Sequence, residues 1–289
     1  MRNFTINDLE RFTGVKAHTL RIWERRYDIL QPERTPGNFR LYSVDQLKKI
    51  LNIALLNKNG YKISRLSKIT EAVVENTITA LSKDDNKWQK AINDLTICMY
   101  TPDAGCFEDV LDELILTWPM DVVMEKIVVP FLNTTALLWI GSKLYEEHIV
   151  VTSIRKKLIL AIEMLPDTNK QGDSVVLFLP DNKQLDLGLL YCNYFLKKRG
   201  MHVVYFGVDV SLPILERYLT VQSPKYIFTY LPHTTHFPTK QLLACMEANA
   251  PNAKFIIGEY ASERAEVSKA NLLQMNYAKA LEYLDTQKN

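Results

Sequence analysis

Basic and hydroxyl side chains are concentrated in one short stretch, KAHTLRIWERR, which spans residues 16 to 26. Arginine and lysine neutralise phosphates, and arginine also donates two parallel hydrogen bonds to the edge of a guanine. A threonine hydroxyl suits a phosphate oxygen, and a histidine can reach a base edge. This stretch is therefore suited to binding a nucleic acid, through Lys16, His18, Thr19, Arg21 and Arg25.

The distribution of charge along the chain supports the same chemistry. Residues 1 to 70 contain 14 Lys and Arg against 6 Asp and Glu, a net charge of +8, whereas the remaining 21 basic and 27 acidic residues give −6. A basic module at one end of a chain is typical of a polyanion-binding protein, because each neutralised phosphate releases condensed counterions. A solvated face of an ordinary globular domain is the alternative interpretation.

Two short helices joined by a tight turn would position these side chains. Thr5 can cap the first helix, and Gly14 fits its end. The second helix begins near residue 16 or 17 and turns Leu20 and Trp23 inward, which leaves its polar side chains outside. Two such helices form a helix-turn-helix, whose second helix fits the major groove of DNA.

A small β-hairpin is predicted after the two helices. Residues 36 to 38 are the turn formers Pro, Gly and Asn, and residues 39 to 42 favour an extended chain. Arg34 and Arg40 would flank the tip of this hairpin. Ser43 can cap a third helix that begins at Val44.

The stretches TLRIWERRY and RTPGNFRLYS resemble the winged helix-turn-helix of the MerR family of bacterial transcription regulators. Within that family they are most similar to the CarH and LitR type, in which Trp-Glu-Arg-Arg-Tyr is characteristic. The resemblance covers nearly all of residues 3 to 70. It implies DNA contacts at His18, Thr19, Arg21 and Arg25 in the recognition helix and at Arg40 and Tyr42 in the wing.

Two residues depart from the pattern of this family. Lys16 stands where a capping Ser is frequent, so we expect a slightly weaker helix cap and an added phosphate contact. Asp28 stands where Gly is usual, and we expect this change to be neutral.

Residues 75 to 170 are rich in helix formers and predict a four-helix bundle, with helices at 86–99, 103–117, 119–139 and 143–164. In the CarH type a bundle at this place covers cobalamin, and the resemblance implies Trp139, Glu147 and His148 as its ligand-facing residues. Seven residues separate Trp139 from Glu147 where the family motif has nine, which shifts the pair. Alternatively, Trp139 is part of the core of the bundle, and Glu147 and His148 are exposed to solvent or lie at a helix interface.

Residues 172 to 289 alternate apolar strands with helical segments. The strands are predicted within 173–180, 202–207, 225–231 and 254–258, and the helices at 186–199, 212–221 and 238–248. This alternation predicts a mainly parallel, flavodoxin-like α/β sheet with helices on both faces. The fold class is therefore multidomain α and α/β, with boundaries at 1–72, 75–170 and 172–289.

The third domain resembles the cobalamin-binding domain, but the residues that would hold cobalt differ. An alignment on Gly188 places Leu185 at the position of the cobalt-ligating His, and leucine cannot coordinate a metal. Gly258 is followed by Glu259 where the family has paired glycines beside the nucleotide tail of the cofactor. We therefore expect no cofactor, because cobalamin is disfavoured by Leu185 and Glu259. Cobalamin held by a histidine from elsewhere, such as His233 or His236, is the alternative.

The segment LPHTTHF contains His233 and His236 at a spacing seen in metal sites. No third ligand is nearby in the sequence, so a hydrogen-bonding loop at the rim of the sheet is the favoured interpretation. No metal site is predicted.

The leading hypothesis is a DNA-binding transcription regulator that acts on double-stranded operator DNA as a homo-oligomer, with an unknown small-molecule or protein effector. A cobalamin-dependent, light-responsive regulator is the first alternative. An enzyme is the second, and the lack of a Gly-rich phosphate loop, a nucleophile elbow or paired carboxylates argues against it.

The sequence predicts a cytoplasmic protein, and the resemblance to a family of bacterial regulators implies a location at the nucleoid. The sequence has no apolar run near the roughly 20 residues that span a bilayer, and no signal-peptide core. Its four cysteines lack metal-like spacing, which predicts buried, reduced thiols at Cys98, Cys106, Cys192 and Cys245.

Overall fold

The computed structural model describes residues 3–101, 103–139, 145–166, 174–180, 186–231, 239–259, 267–269 and 271–286. Two compact units make up the chain, an N-terminal unit, Met1–Ser153, and a C-terminal unit, Ile154–Asn289. Their boundary falls inside a long helix, Tyr145–Glu163. The division into three domains stays a prediction.

The N-terminal unit begins with the predicted helix-turn-helix and wing. Thr5 and Asp8 form a reciprocal capping box, and Gly14 ends the first helix in the left-handed region at φ 70°. Ser43 accepts a hydrogen bond from the Gln46 amide and so caps the third helix as predicted. The elements are α1 (Ile6–Thr13), α2 (Ala17–Tyr27), the antiparallel strands β1 (Glu33–Arg34) and β2 (Arg40–Leu41), and α3 (Val44–Lys58).

The helical part of the N-terminal unit also has the predicted long helices. Two short helices not expected from the sequence, α4 (Ile63–Leu66) and α5 (Glu71–Thr79), precede them. The bundle elements are α6 (Asp84–Tyr100), α7 (Ala104–Thr117), α8 (Met120–Val122), a π-helical segment (Val123–Val128), α9 (Val129–Trp139) and α10 (Tyr145–Glu163). The π-helical segment lies just before Pro130, which has no amide hydrogen to donate to a carbonyl of the preceding turn.

The C-terminal unit contains the predicted parallel sheet. Its parallel strands have the order β4-β3-β5-β6-β8, which is the flavodoxin-like order 2-1-3-4-5. The elements are β3 (Ser174–Phe178), α11 (Asp186–Lys198), β4 (His202–Gly207), α12 (Leu212–Leu219), β5 (Tyr226–Leu231), α13 (Thr239–Asn249), β6 (Lys254–Glu259), β7 (Val267–Lys269), β8 (Leu272–Asn276) and α14 (Tyr277–Thr286).

The two faces of this sheet are covered by different helices. Val176, Ile227 and Phe255 point into a core with Leu215 of α12 and Leu242 of α13. Helices α11 and α14 pack on strands β3 to β6 and β8 as well as on each other. The sequence pattern missed β7, β8 and α14, and β7 is antiparallel to β8. Within the described ranges, no helix is both long and apolar enough to cross a membrane.

Candidate nucleic-acid interface

Helix α2 separates an apolar face from a basic face. Leu20 is fully buried and Trp23 nearly so, while His18, Arg21 and Arg25 are exposed. These three polar residues follow one another at steps of three and four, so they share one side of the helix. Three of the side chains predicted to meet DNA are thus brought together on a surface that faces solvent.

The N-terminus of α2 is capped from outside the helix. Lys16 makes no side-chain cap. Instead, the Glu10 carboxylate of α1 accepts a hydrogen bond from the Ala17 amide at 2.9 Å and lies 3.1 Å from the Lys16 ammonium. A helix N-terminus has amides without intrahelical partners, and Glu10 satisfies one of them. The weak cap expected at Lys16 is therefore compensated, and Lys16 itself is ion-paired.

This cap makes the N-terminal unit sensitive to acid. The Ala17 amide, followed by Lys16, holds the pKa of Glu10 below its ordinary value of 4.5. The stabilisation is therefore complete above the unfolded-state pKa and is lost as pH falls through the lower folded-state pKa. All four tryptophans lie in residues 1–153, so urea unfolding followed by tryptophan fluorescence reports on this unit. We expect Glu10→Gln to lose less stability than the wild type below about pH 4.5; equal acid losses would contradict the assigned cap.

Glu24 joins the recognition helix to the wing. Its carboxylate accepts hydrogen bonds from Arg40 Nε at 2.9 Å and from the Tyr42 hydroxyl at 2.9 Å. Glu24 is 14% exposed and Arg40 is 29% exposed, so the ion pair is partly shielded from water. Burial and the Glu24 carboxylate both raise the pKa of Tyr42, and the same carboxylate raises that of Arg40. The wing is thus held on α2 by charge-assisted hydrogen bonds.

The position of Tyr42 does not fit the direct DNA contact that the resemblance implied. Its side chain is 0% exposed, and its backbone pairs with Phe4 of the chain's N-terminal segment. A buried ring with an internally bonded hydroxyl has no surface to offer a phosphate, so Tyr42 positions the wing instead. The sequence analysis missed Glu24. The available signal was that Glu24 is the one carboxylate in a helix that has four basic residues in it or next to it.

Asp28 is not neutral, contrary to the expectation from the sequence. It ends α2 with φ 51°, in the left-handed region that favours glycine. The Gln31 amide donates a hydrogen bond to its carboxylate at 3.0 Å, which offsets part of this backbone strain.

We expect Asp28→Gly to raise the free energy of unfolding of the N-terminal unit by about 0.5 kcal/mol, because relief of the strained φ slightly exceeds the lost hydrogen bond and the added chain entropy. The matched variant Asp28→Ala keeps the strain and lacks the hydrogen bond, so it should be less stable than the wild type. Urea unfolding monitored by tryptophan fluorescence measures both, and a glycine variant no more stable than the alanine variant would refute the strain.

At the carboxyl edge of the sheet, aromatic rings cover the two glycines aligned with the cobalamin-binding domain. A Cβ added at Gly258 would lie 3.2 Å from Phe228 Cζ and 3.3 Å from Tyr277 Cδ2. The Tyr277 hydroxyl donates a hydrogen bond to the Gly188 carbonyl at 2.6 Å, and its ring meets that of Tyr230 edge to face at 5.2 Å. These rings form a packed group, which we call the aromatic cluster: Phe228, Tyr230 and Tyr277.

Glu259 is nearly buried beside this cluster. It is 8% exposed, and the Gln274 side-chain amide donates a hydrogen bond to its carboxylate. The acidic group that the sequence placed at this edge is therefore held inside the domain.

The bundle residues implied by the resemblance are only partly described. Trp139 is the last residue of α9, whereas Glu147, half-buried, and His148, exposed, lie on α10. Leu185 and the histidines at 233 and 236 lie outside the described residues. Among the side chains that are described, no three of His, Cys, Asp and Glu are grouped so as to hold a metal ion.

The cysteine prediction is wrong for one pair. Cys98, near the end of α6, and Cys106, in the first turn of α7, form a disulfide with their Cα atoms 5.3 Å apart. The short turn between the two helices brings these cysteines together, although they are eight residues apart in the sequence. Their spacing alone did not indicate this contact. Cys192 is a buried free thiol as predicted, and Cys245 is free and partly exposed.

A winged helix with an exposed basic recognition helix defines a DNA-binding domain. Residues 4–73 match the sequence model described as MerR HTH family regulatory protein. The chain is a DNA-binding transcription regulator, and its DNA-binding domain is of the MerR type.

Two curated transcription regulators are similar to the chain over different shares of its length. The chain is 24% identical over 237 residues, 78% of each chain, to the HTH-type transcriptional repressor CarH of Myxococcus xanthus. It is also 33% identical over 66 residues, 23% of this chain and 27% of the relative, to the HTH-type transcriptional regulator MlrA of Escherichia coli.

A solved structure resembles much of the fold. The monomethylamine corrinoid protein of Methanosarcina barkeri matches with a TM-score of 0.55 and 15% identity, over 69% of this chain and 99% of that one. At this identity the match establishes a common fold only. The predicted cobalamin-binding-like architecture is confirmed.

Proposed function

We propose that the protein binds double-stranded operator DNA with His18, Arg21 and Arg25 of α2 in the major groove. The observation that carries this proposal is the basic face of α2, which lies opposite the buried Leu20 and Trp23. Thr19 is half-buried beside His18 and suits a phosphate at the edge of the groove. Lys16 and Arg40, each held by a carboxylate, flank the surface and add positive charge.

Arg40 serves two purposes in this proposal. Its Nε donates to Glu24, and a guanidinium has five donors in a planar fork. Its terminal nitrogens therefore remain suited to a phosphate while its position is fixed by α2. An arginine that is already oriented loses less side-chain entropy on binding than a free one.

The protein acts on DNA as a homo-oligomer in the cytoplasm and is not an enzyme. One small winged helix rarely supplies enough specific contact, so two copies on repeated or palindromic elements are the economical arrangement. An effector changes the occupancy of the operator only when it binds one oligomeric state more tightly than another.

Selection from a pool of random DNA duplexes tests the proposal, because the operator sequence is the unknown. The full chain should enrich one sequence whose half-sites are separated by about one helical turn or a multiple of it. The double variant Arg21→Ala/Arg25→Ala should enrich nothing beyond the starting pool. Enrichment of the same sequence by both proteins would place the interface elsewhere.

The C-terminal domain is proposed to work without a cobalt–histidine bond. Leu185 stands at the ligand position of the resembling family and has no donor atom. In that family, the glycine aligned with Gly258 leaves its backbone open to the nucleotide tail of the cofactor. Here Phe228 and Tyr277 pack on Gly258 within 3.2–3.3 Å of an added Cβ. The residues present therefore do not fit a corrin whose tail enters the domain.

Displacing the aromatic cluster would be costly. The Tyr277 hydroxyl would lose its bond to the Gly188 carbonyl, and the rings would lose edge-to-face contacts worth about 0.5–1.5 kcal/mol per pair. A phosphate-bearing tail would also approach the Glu259 carboxylate. Both effects act against corrin binding.

We expect no corrin to co-elute when the full chain is mixed in the dark with adenosylcobalamin or hydroxocobalamin and passed through a sizing column. Leu185→His restores a ligand but leaves the cluster in place, so it should also elute without corrin. Adding Tyr277→Ala to Leu185→His opens the space and should retain more corrin than Leu185→His alone. Corrin absorbance that travels with the wild-type protein would instead support a cobalamin-dependent regulator.

A further inference from the structure

The disulfide lies at the corner where the bundle supports the DNA-binding domain. Cys98 and Cys106 close the turn between α6 and α7. Tyr100, two residues after Cys98, packs edge to face on Phe4 at 4.8 Å and on Phe12 at 6.1 Å between ring centroids. Phe12 belongs to α1, so the last turn of α6 forms part of the core of the winged helix.

The contacts continue from this corner to the surface proposed to meet DNA. Phe4 exchanges two backbone hydrogen bonds with Tyr42, of 2.8 and 2.9 Å. Tyr42 in turn donates to Glu24 on α2, which also holds Arg40. A displacement of the α6–α7 corner therefore acts, through three consecutive contacts, on the wing and on the recognition helix.

One cysteine of the pair is partly exposed, and the other lines a cavity. Cys106 is partly exposed, whereas Cys98 is 7% exposed. A cavity of about 80 Å³ is lined by Cys98 together with Phe107, Tyr145 and Ile149, among others. This volume exceeds the roughly 10–15 Å³ needed for a water molecule, so it accommodates a hydroperoxide.

We propose that Cys98 and Cys106 form a dithiol–disulfide pair that is oxidised by hydroperoxides and reduced by thiols, and that its state sets operator affinity. The proposal rests on the operator binding proposed above. Operator affinity would then respond to oxidation, a signal that neither the DNA-binding surface nor the cobalamin-binding-like fold detects by itself.

The chemistry needs one equivalent of hydroperoxide. The Cys106 thiolate attacks the outer oxygen, which breaks the O–O bond, releases an alcohol or water, and leaves a sulfenic acid. The Cys98 thiol then attacks that sulfur, forming the S–S bond and releasing water. An external thiol reverses the reaction by two exchange steps, in which it is itself oxidised to a disulfide.

The oxidised form is the one with the higher operator affinity. The bond ties the last turn of α6 to the first turn of α7, which holds Tyr100 against Phe4 and Phe12. Once reduced, the corner samples arrangements in which that support is weaker, and only the competent fraction binds DNA at full strength. We expect reduction to weaken operator binding by about fivefold or more.

The test measures the bond and the affinity on the same samples of full chain. Protein is treated with hydrogen peroxide or with excess dithiothreitol, the Cys98–Cys106 link is mapped by peptide mass spectrometry, and binding to the selected duplex is titrated. Cys98→Ser and Cys106→Ser should each bind like the reduced wild type in both treatments. Cys245→Ser, which removes a partly exposed free thiol, should keep the wild-type response.

Tyr100→Leu separates the bond from its transmission. This variant should still form the disulfide, but its affinity should respond less to reduction than that of the wild type. The proposal is overturned when peroxide produces no link between residues 98 and 106, or when the link forms and breaks without a change in affinity. Loss of DNA binding in both states, with normal link formation, would refute the proposed operator binding as well, and the mapping tells these cases apart.

Discussion

Arg21→Ala is expected to weaken binding of the full chain to its selected duplex by about 5- to 150-fold, or about 1–3 kcal/mol. Arg21 is exposed at the centre of the basic face of α2, between His18 and Arg25. An arginine that grips a phosphate also releases a counterion, so its loss should reduce the slope of log affinity against log salt by about 0.9. A residue that reads only a base would lower affinity and leave that slope unchanged.

Arg217→Ala is the matched control for this variant. Arg217 is also exposed, but it lies on α12 in the C-terminal unit. Its substitution by alanine removes one positive charge, as Arg21→Ala does. The affinity of the Arg217→Ala variant for the selected duplex, and the slope of log affinity against log salt, should equal those of the wild type. Equal losses in both variants would mean that net charge, and not the face of α2, governs binding.

Glu24→Ala is expected to lower the free energy of unfolding of the N-terminal unit by about 2 kcal/mol. Removing one partner of a buried ion pair costs about 3–5 kcal/mol, and the partial exposure of Glu24 and Arg40 reduces that figure. For a unit of this size the loss corresponds to a fall in melting temperature of about 4–8 °C. Operator affinity should also fall well below that temperature, because the wing is no longer held on α2.

Two variants distinguish this network from a general effect of charge. Glu33→Ala removes an exposed carboxylate of β1 and should leave stability nearly unchanged. Tyr42→Phe keeps the buried ring and the Glu24–Arg40 pair, so it should cost only about 1 kcal/mol. Tryptophan fluorescence during thermal unfolding measures all three proteins. Were Glu24→Ala as stable as Glu33→Ala, the carboxylate would not secure the wing.

The sequence predicted those elements whose signals are local. Thr5, Gly14 and Ser43 are caps that act within a few residues, and they ended or began helices where the pattern indicated. The apolar strands of the C-terminal domain were recognisable as continuous runs, so the parallel sheet and its helices were predicted close to their observed bounds.

What the sequence missed depends on contacts between distant residues. Glu10 caps a helix that it does not belong to, and Glu24 meets partners 16 and 18 residues away. The strain at Asp28 depends on where α2 ends, and a ±1 uncertainty in a helix end hides it. The last strands and helix were missed because LLQMN is short and partly polar, which gives a weak strand pattern.

Tyr277 has a consequence for how the C-terminal domain responds to its surroundings. A side chain that belongs to the protein has the same effective concentration at its site in every molecule. A dissociable ligand fills a site only to the extent that its free concentration allows. A freely diffusing molecule would have to compete with a ring that cannot be diluted away. The packing at Gly188 and Gly258 is therefore complete as soon as the chain has folded, at any protein concentration and in any growth medium.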